Sequence, residues 1–82
     1  MNSKTWQAWV SVKWKPGTPA SAWENWKNHP QITSAWSTLG QWDCVLAVNA
    51  TEPDALEEFV WKTLRSNQWV EATHTTFVKK WW

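Results

Sequence analysis

Tyrosine is missing altogether from this chain of 82 residues, methionine and cysteine occur once each, and glycine only twice. The single cysteine, Cys44, permits no internal disulfide and fits a reducing compartment, so a cytoplasmic location is expected. With only His29 and His74 to join it, Cys44 makes no structural zinc site unless a carboxylate is added; neither a metal nor a cofactor is expected. No charge of one sign dominates. Eight basic residues against seven acidic ones leave a net +1, which removes the electrostatic footprint of a nucleic-acid or anionic-membrane binder. No apolar run approaches the ~20 residues that span a bilayer, and no signal-peptide pattern opens the chain.

The length allows one domain, taken as residues 1–82. A chain this short buries only ~60–65% of the surface that its unfolded form exposes, so association with further copies is an economical source of stability. What the sequence has in abundance is indole: 11 Trp beside 2 Phe.

Alternation over Trp6–Trp14 predicts a strand with Trp6, Ala8, Val10, Val12 and Trp14 on one face and Gln7, Trp9, Ser11 and Lys13 on the other. Lys15-Pro16-Gly17-Thr18 reads as a turn. Thr18 is the expected N-cap of a helix with Pro19 at its first position, running to about Asn28 and stopped by His29-Pro30. A second strand is expected over 31–39, with Ile32, Ser34, Trp36 and Thr38 on one face and Thr33, Ala35, Ser37 and Leu39 on the other. Gly40-Gln41 forms a tight connection into 42–50, which is apolar on both faces after Asp43 and so reads as a central strand. Thr51 is the expected cap of a second helix, whose stripe Ala55, Leu56, Phe59, Val60, Thr63 and Leu64 ends near Ser66-Asn67. A last strand covers about 69–79.

The order βαββαβ with right-handed crossovers gives an α+β, ferredoxin-like sandwich: a four-stranded antiparallel sheet with both helices on one face. The third strand has Val45 and Ala47 on one side and Cys44, Leu46 and Val48 on the other, so the uncovered face is apolar whichever side it is, and sheet-against-sheet dimerisation is the simplest way to cover it. Trp9, or another apolar side chain from the two central strands, is expected in that interface.

Four segments occur in a recognisable order: Lys15-Pro16-Gly17; Thr38-Leu39-Gly40-Gln41-Trp42-Asp43-Cys44-Val45-Leu46; Ala55-Leu56-Glu57-Glu58-Phe59-Val60; and Trp69-Val70-Glu71-Ala72-Thr73-His74-Thr75-Thr76. Together they resemble the effector-binding (RAM) domain of the Lrp/AsnC transcription regulators, over roughly residues 7–80. The Gly-x-aromatic-Asp turn before an apolar strand is the most specific part. The resemblance implies a non-enzymatic domain that binds an amino acid or similar metabolite in a site completed by oligomerisation. It also implies a ring-like assembly of dimers and, as a further partner, a full-length regulator of the same family. Such regulators carry an N-terminal helix-turn-helix; here the first strand begins almost at Met1, so a stand-alone version that does not itself contact DNA is expected. Trp42 stands where the family usually has Tyr, which keeps the aromatic surface and loses the phenolic hydroxyl.

The ligand-binding residues implied are Gly40, Gln41, Trp42 and Asp43. Gly40 suits a turn with positive φ, where backbone N–H groups can meet a ligand carboxylate. Asp43 is either an acceptor for an ammonium group or a turn residue bonded to backbone. Exposed tryptophans on a four-stranded sheet could also stack nucleic-acid bases. The missing basic-aromatic motif and the balanced charge favour packing instead, with Trp23, Trp26, Trp36 and Trp61 in a core or interface. His74 is read as a hydrogen-bonded structural histidine, His29 as a helix-end residue and Cys44 as a small hydrophobe. Glu58 and Lys62 form a helix pair on a solvated face, and Lys79-Lys80-Trp81-Trp82 an ordered tail on a neighbouring subunit. The rival reading is a small dimeric α+β-barrel enzyme, similar to the antibiotic-biosynthesis monooxygenases, with His74 or Asp43 in an internal cavity; fold alone does not separate the two.

Overall fold

The computed structural model describes residues 6–79, and the tail expectation for residues 80–82 lies outside them. Four strands, β1 (Trp6–Trp14), β2 (Ile32–Ser37), β3 (Cys44–Ala50) and β4 (Val70–Val78), form one sheet in the order β2-β3-β1-β4 with every neighbouring pair antiparallel. Both crossovers place helix on the same face, giving the expected α+β sandwich.

The strand alternation sorts residues onto the two faces as β1 predicts. Ala8, Val10 and Val12 are buried beneath the helices together with Leu46 and Val48 of β3. The helix α1 (Pro53–Phe59) continues into a π-helical turn (Val60–Leu64), where Arg65 N–H donates to the Val60 carbonyl at 2.7 Å. Through it the stripe Leu56, Phe59, Val60 and Leu64 reaches the core. Leu56 and Leu64 are fully enclosed, each contributing about 1.5–3 kcal/mol by burial.

Four expectations are corrected. The first helix is a 3-10 helix, Ala20–Trp26, with Pro19 at the N-cap position. Thr18 does not cap it; its hydroxyl donates instead to the Lys15 carbonyl and closes the preceding turn. Thr51 likewise leaves the cap of α1 to Glu52, which is extended and makes no side-chain capping bond; Pro53 at the first position already removes one of the N–H groups that need a partner. The third correction concerns β2. Ile32 pairs with Val48 and Ser34 with Ala47, so Thr33 is an extra, unpaired residue, and its hydroxyl donates to the Ala47 carbonyl at 3.2 Å. This bulge flips every later side chain. Ile32 packs on the helix-side core, while Trp36 emerges on the opposite, helix-free face. Fourth, both strands of that hairpin are shorter than read, ending at Ser37 and beginning at Cys44, so Trp42 and Asp43 belong to the connection.

Candidate functional site

The connection from β2 to β3 is held by four short-range contacts. The Thr38 N–H donates to the Asp43 carbonyl at 3.2 Å, and the Thr38 hydroxyl donates to the Trp42 carbonyl at 2.8 Å. Asp43 N–H donates to the Val12 carbonyl at 2.9 Å, tying the end of the connection to β1. The Lys13 ammonium donates to the Gln41 carbonyl at 3.3 Å. Gly40 has φ +106, as the turn requires, and no atom lies within 4 Å of where its Cβ would be.

The four sequence-predicted residues form one turn but not one surface. Trp42 lies over the helix-free face, its ring 6.2 Å from that of His74, which sits opposite Ser11 on that face. Asp43 lines the helix side instead. There its Oδ2 accepts the backbone N–H of Trp14 at 2.7 Å, so the bond to backbone exists, though to β1 rather than to the turn itself. Gly40 and Gln41 are exposed at the tip, beside a fully exposed Leu39. Asp43 and His74, the two groups named for an enzymatic reading, are thus not brought together.

Two aromatic groupings emerge that strand periodicity alone does not show. On the helix-free face, Trp9 and Trp36 meet with centroids 5.9 Å apart and remain 48% exposed each. Ala47, in register with Trp9, is nonetheless only 4% exposed. On the helix side, Trp14 meets Trp23 at 5.3 Å and Trp26 at 5.1 Å. Of the four tryptophans expected in a core or interface, Trp26 is buried and Trp23 packs against the core. Trp36 is on the open face, and Trp61 is exposed under the Arg65 guanidinium, 4.7 Å from its ring centre. Trp61 is therefore not a core residue: it lines an open groove beside Thr73, Thr75 and Phe77 of β4.

Burial pushes the Cys44 thiol up, opposed by a side-chain hydrogen bond from Trp14 and assisted by the Asp43 charge. His29 packs edge-on against Phe59 at 4.9 Å and accepts the Gln31 N–H through Nδ1 at 3.2 Å. Among the described residues no three His, Cys, Asp or Glu side chains gather in a metal-ligating group. Among the described residues no helix is long and apolar enough to cross a membrane.

Comparison with solved structures places this geometry. The fold matches Escherichia coli AsnC with a TM-score of 0.82 at 18% identity, covering 92% of this chain and 51% of that one. It matches a transcriptional regulator of Neisseria meningitidis, solved as an L-Met complex, with a TM-score of 0.78 at 26% identity, covering 92% and 50%. A Thermus thermophilus protein matches with a TM-score of 0.82 at 22% identity over 94% of this chain and 96% of its own. The chain therefore spans about half the length of the two regulators and nearly all of the third protein. Among curated proteins none matches. The family model described as the Lrp/AsnC ligand binding domain matches residues 7–81, and with this sheet order and turn in place the chain belongs to that family.

Proposed function

We propose that the chain is a non-enzymatic, amino-acid-sensing and oligomerisation module. The observation that carries this reading is the Gly40–Asp43 turn. It exposes the backbone of Gly40 and Gln41 at its tip, with the Trp42 indole on its helix-free side and, on its helix side, one carboxylate oxygen of Asp43 beyond the one given to Trp14. A free amino acid presents an ammonium and a carboxylate together, so its site needs an acceptor beside N–H donors. The turn alone is too open to hold so small a molecule, and a second dimer would close it. The L-Met complex of the N. meningitidis regulator supports the ligand class.

On the same reading the helix-free face, with Trp9 and Trp36, is the homodimer interface, and dimers assemble further into a ring. Mixed assembly with a full-length Lrp/AsnC regulator in the cytoplasm would pass the signal on, without direct nucleic-acid contact by this domain. A thermal-shift screen against the twenty amino acids tests it, because a ligand at 100 times its dissociation constant stabilises by ~2.7 kcal/mol. At least one amino acid should raise the unfolding temperature in a saturable way. A flat response to all twenty would overturn the reading.

A further inference from the structure

A cleft of about 820 Å³ opens on the helix side of the sheet, away from Gly40, Gln41 and Trp42. Its floor and far wall come from β2 and β3, through Ile32, Ala35, Ser37, Cys44 and Leu46. The near wall is Trp14, Trp23 and Trp26. The cleft exists because the first helix is only the seven residues Ala20–Trp26 and because the Thr33 bulge sets Ala35 on this side, in register with Leu46 and exposed.

Three features suit this cleft to a ligand. Its aromatic wall is anchored: Trp14 is held by its backbone N–H on Asp43 and by contact with two further indoles. Its size is that of a small-molecule site. Its charge is lopsided, with Lys15 and Lys27 in the lining against the single carboxylate of Asp43, which already accepts an N–H. Lys27 is held only by an exposed contact with Glu24 at 3.4 Å. No side-chain hydrogen bond or ion pair engages the Lys15 ammonium among the described residues.

We propose that this cleft binds a small aromatic carboxylate, its ring against the Trp14–Trp23–Trp26 wall and its carboxylate toward Lys15 and Lys27. Flat indole faces favour a flat, apolar body by offset stacking, and the surplus of lysine selects an anionic head over a cationic one. The site goes beyond the proposed amino-acid site: it is formed within one protomer, away from the turn tip and from Trp42, and shares only Asp43 with it.

The test is a titration of the ¹⁵N-labelled protein with phenylacetate, followed through the indole N–H resonances. Saturable shifts are expected at Trp14, Trp23 and Trp26, with Trp9, Trp36 and Trp42 unmoved. Phenethylamine, which carries the opposite charge on a similar ring, should bind more weakly, and Lys15→Gln should weaken phenylacetate by up to about fivefold, the scale of one exposed ion pair. Ala35→Phe fills the cleft from an exposed position and should abolish the shifts. Ser37→Phe does the same two residues further on, should the first variant fold poorly. Absence of saturable binding overturns the proposal, as do shifts centred on the opposite face, equal affinity for phenethylamine, or unchanged binding in a folded cleft-filling variant. Amino-acid binding at the turn is read separately, by thermal shift and at the Trp42 indole, so either site can fail alone.

Discussion

The carboxylate of Asp43 and the backbone N–H of Trp14, 29 residues apart in sequence, meet at 2.7 Å. This bond sits where β1 changes register with β4, between Lys13 and Trp14. There β1 leaves its regular ladder, and a side chain from the neighbouring connection supplies the acceptor. The residue expected to receive a ligand's ammonium thus also holds the hub of the helix-side indole cluster.

That double duty separates two substitutions. Asp43→Asn keeps an oxygen for Trp14 and removes the charge. Its unfolding temperature should stay near that of the parent, while amino-acid-induced stabilisation is lost. Asp43→Ala loses both and should cost about 1 kcal/mol in urea unfolding, since the Trp14 N–H is exposed enough to turn to water. Full retention of amino-acid binding in Asp43→Asn would make the residue structural only.

On the helix-free face, Trp36→Glu tests the dimer. Two indoles left 48% exposed at 5.9 Å from one another form an apolar patch beside the nearly covered Ala47. Paired faces would bring two such glutamates close together and desolvate them. Light scattering at micromolar concentration should give at least twice 9.6 kDa for the parent chain and no more than half the parent's mass for the variant. A parent already at 9.6 kDa would sink the face-to-face dimer.

Gly40→Val and Gly40→Ala probe the backbone of the turn. With φ at +106 and nothing within 4 Å of the missing Cβ, the penalty is conformational rather than a clash. Both variants should lose about 1–3 kcal/mol of stability, with valine the worse because β-branching narrows its options further. A neutral Gly40→Ala in urea unfolding would mean that the turn can relax to negative φ.

Much of the fold is legible because β1 and the Leu56–Leu64 stripe carry clean periods of two and of about 3.6. The Gly40 conformation and the two-faced apolarity of β3 were legible for the same kind of reason: each has a local signature. Trp36 was not, because an extra residue in β2 reverses its face, and Thr33 carries no signal for a bulge until its hydroxyl is seen on the Ala47 carbonyl. The caps misled for a related reason. Thr18 and Thr51 are good capping types, but the chain gave the first hydroxyl to a turn and put Pro53 at the start of α1. The site was legible as a turn and not as surfaces. Whether Trp42 and Asp43 share a face depends on where β3 begins, and helix-side neighbours of Asp43 such as Trp14 and Trp23 are joined only by tertiary packing.

The last prediction concerns Cys44, which lines the helix-side cleft half-buried. Burial is the main reason its thiol titrates above the ordinary range, with the Asp43 charge adding to the shift and the Trp14 bond opposing it. The folded chain therefore favours the neutral thiol more than the unfolded chain does. Its contribution to stability is complete below the unfolded-state pKa and is lost as pH rises through the folded-state value. Alkylation by iodoacetamide, which requires the thiolate, should accordingly rise at higher pH in the native protein than in the urea-unfolded chain. In urea unfolding, the parent should lose more stability than Cys44→Ala across that alkaline window, a comparison that subtracts the lysines common to both. Asp43→Asn should move the native alkylation profile back toward lower pH, because it removes the neighbouring negative charge while keeping the bond that orders Trp14. A native profile lying below the unfolded one would contradict the burial argument. An Asp43→Asn profile identical to the parent's would show that the carboxylate does not reach the thiol electrostatically.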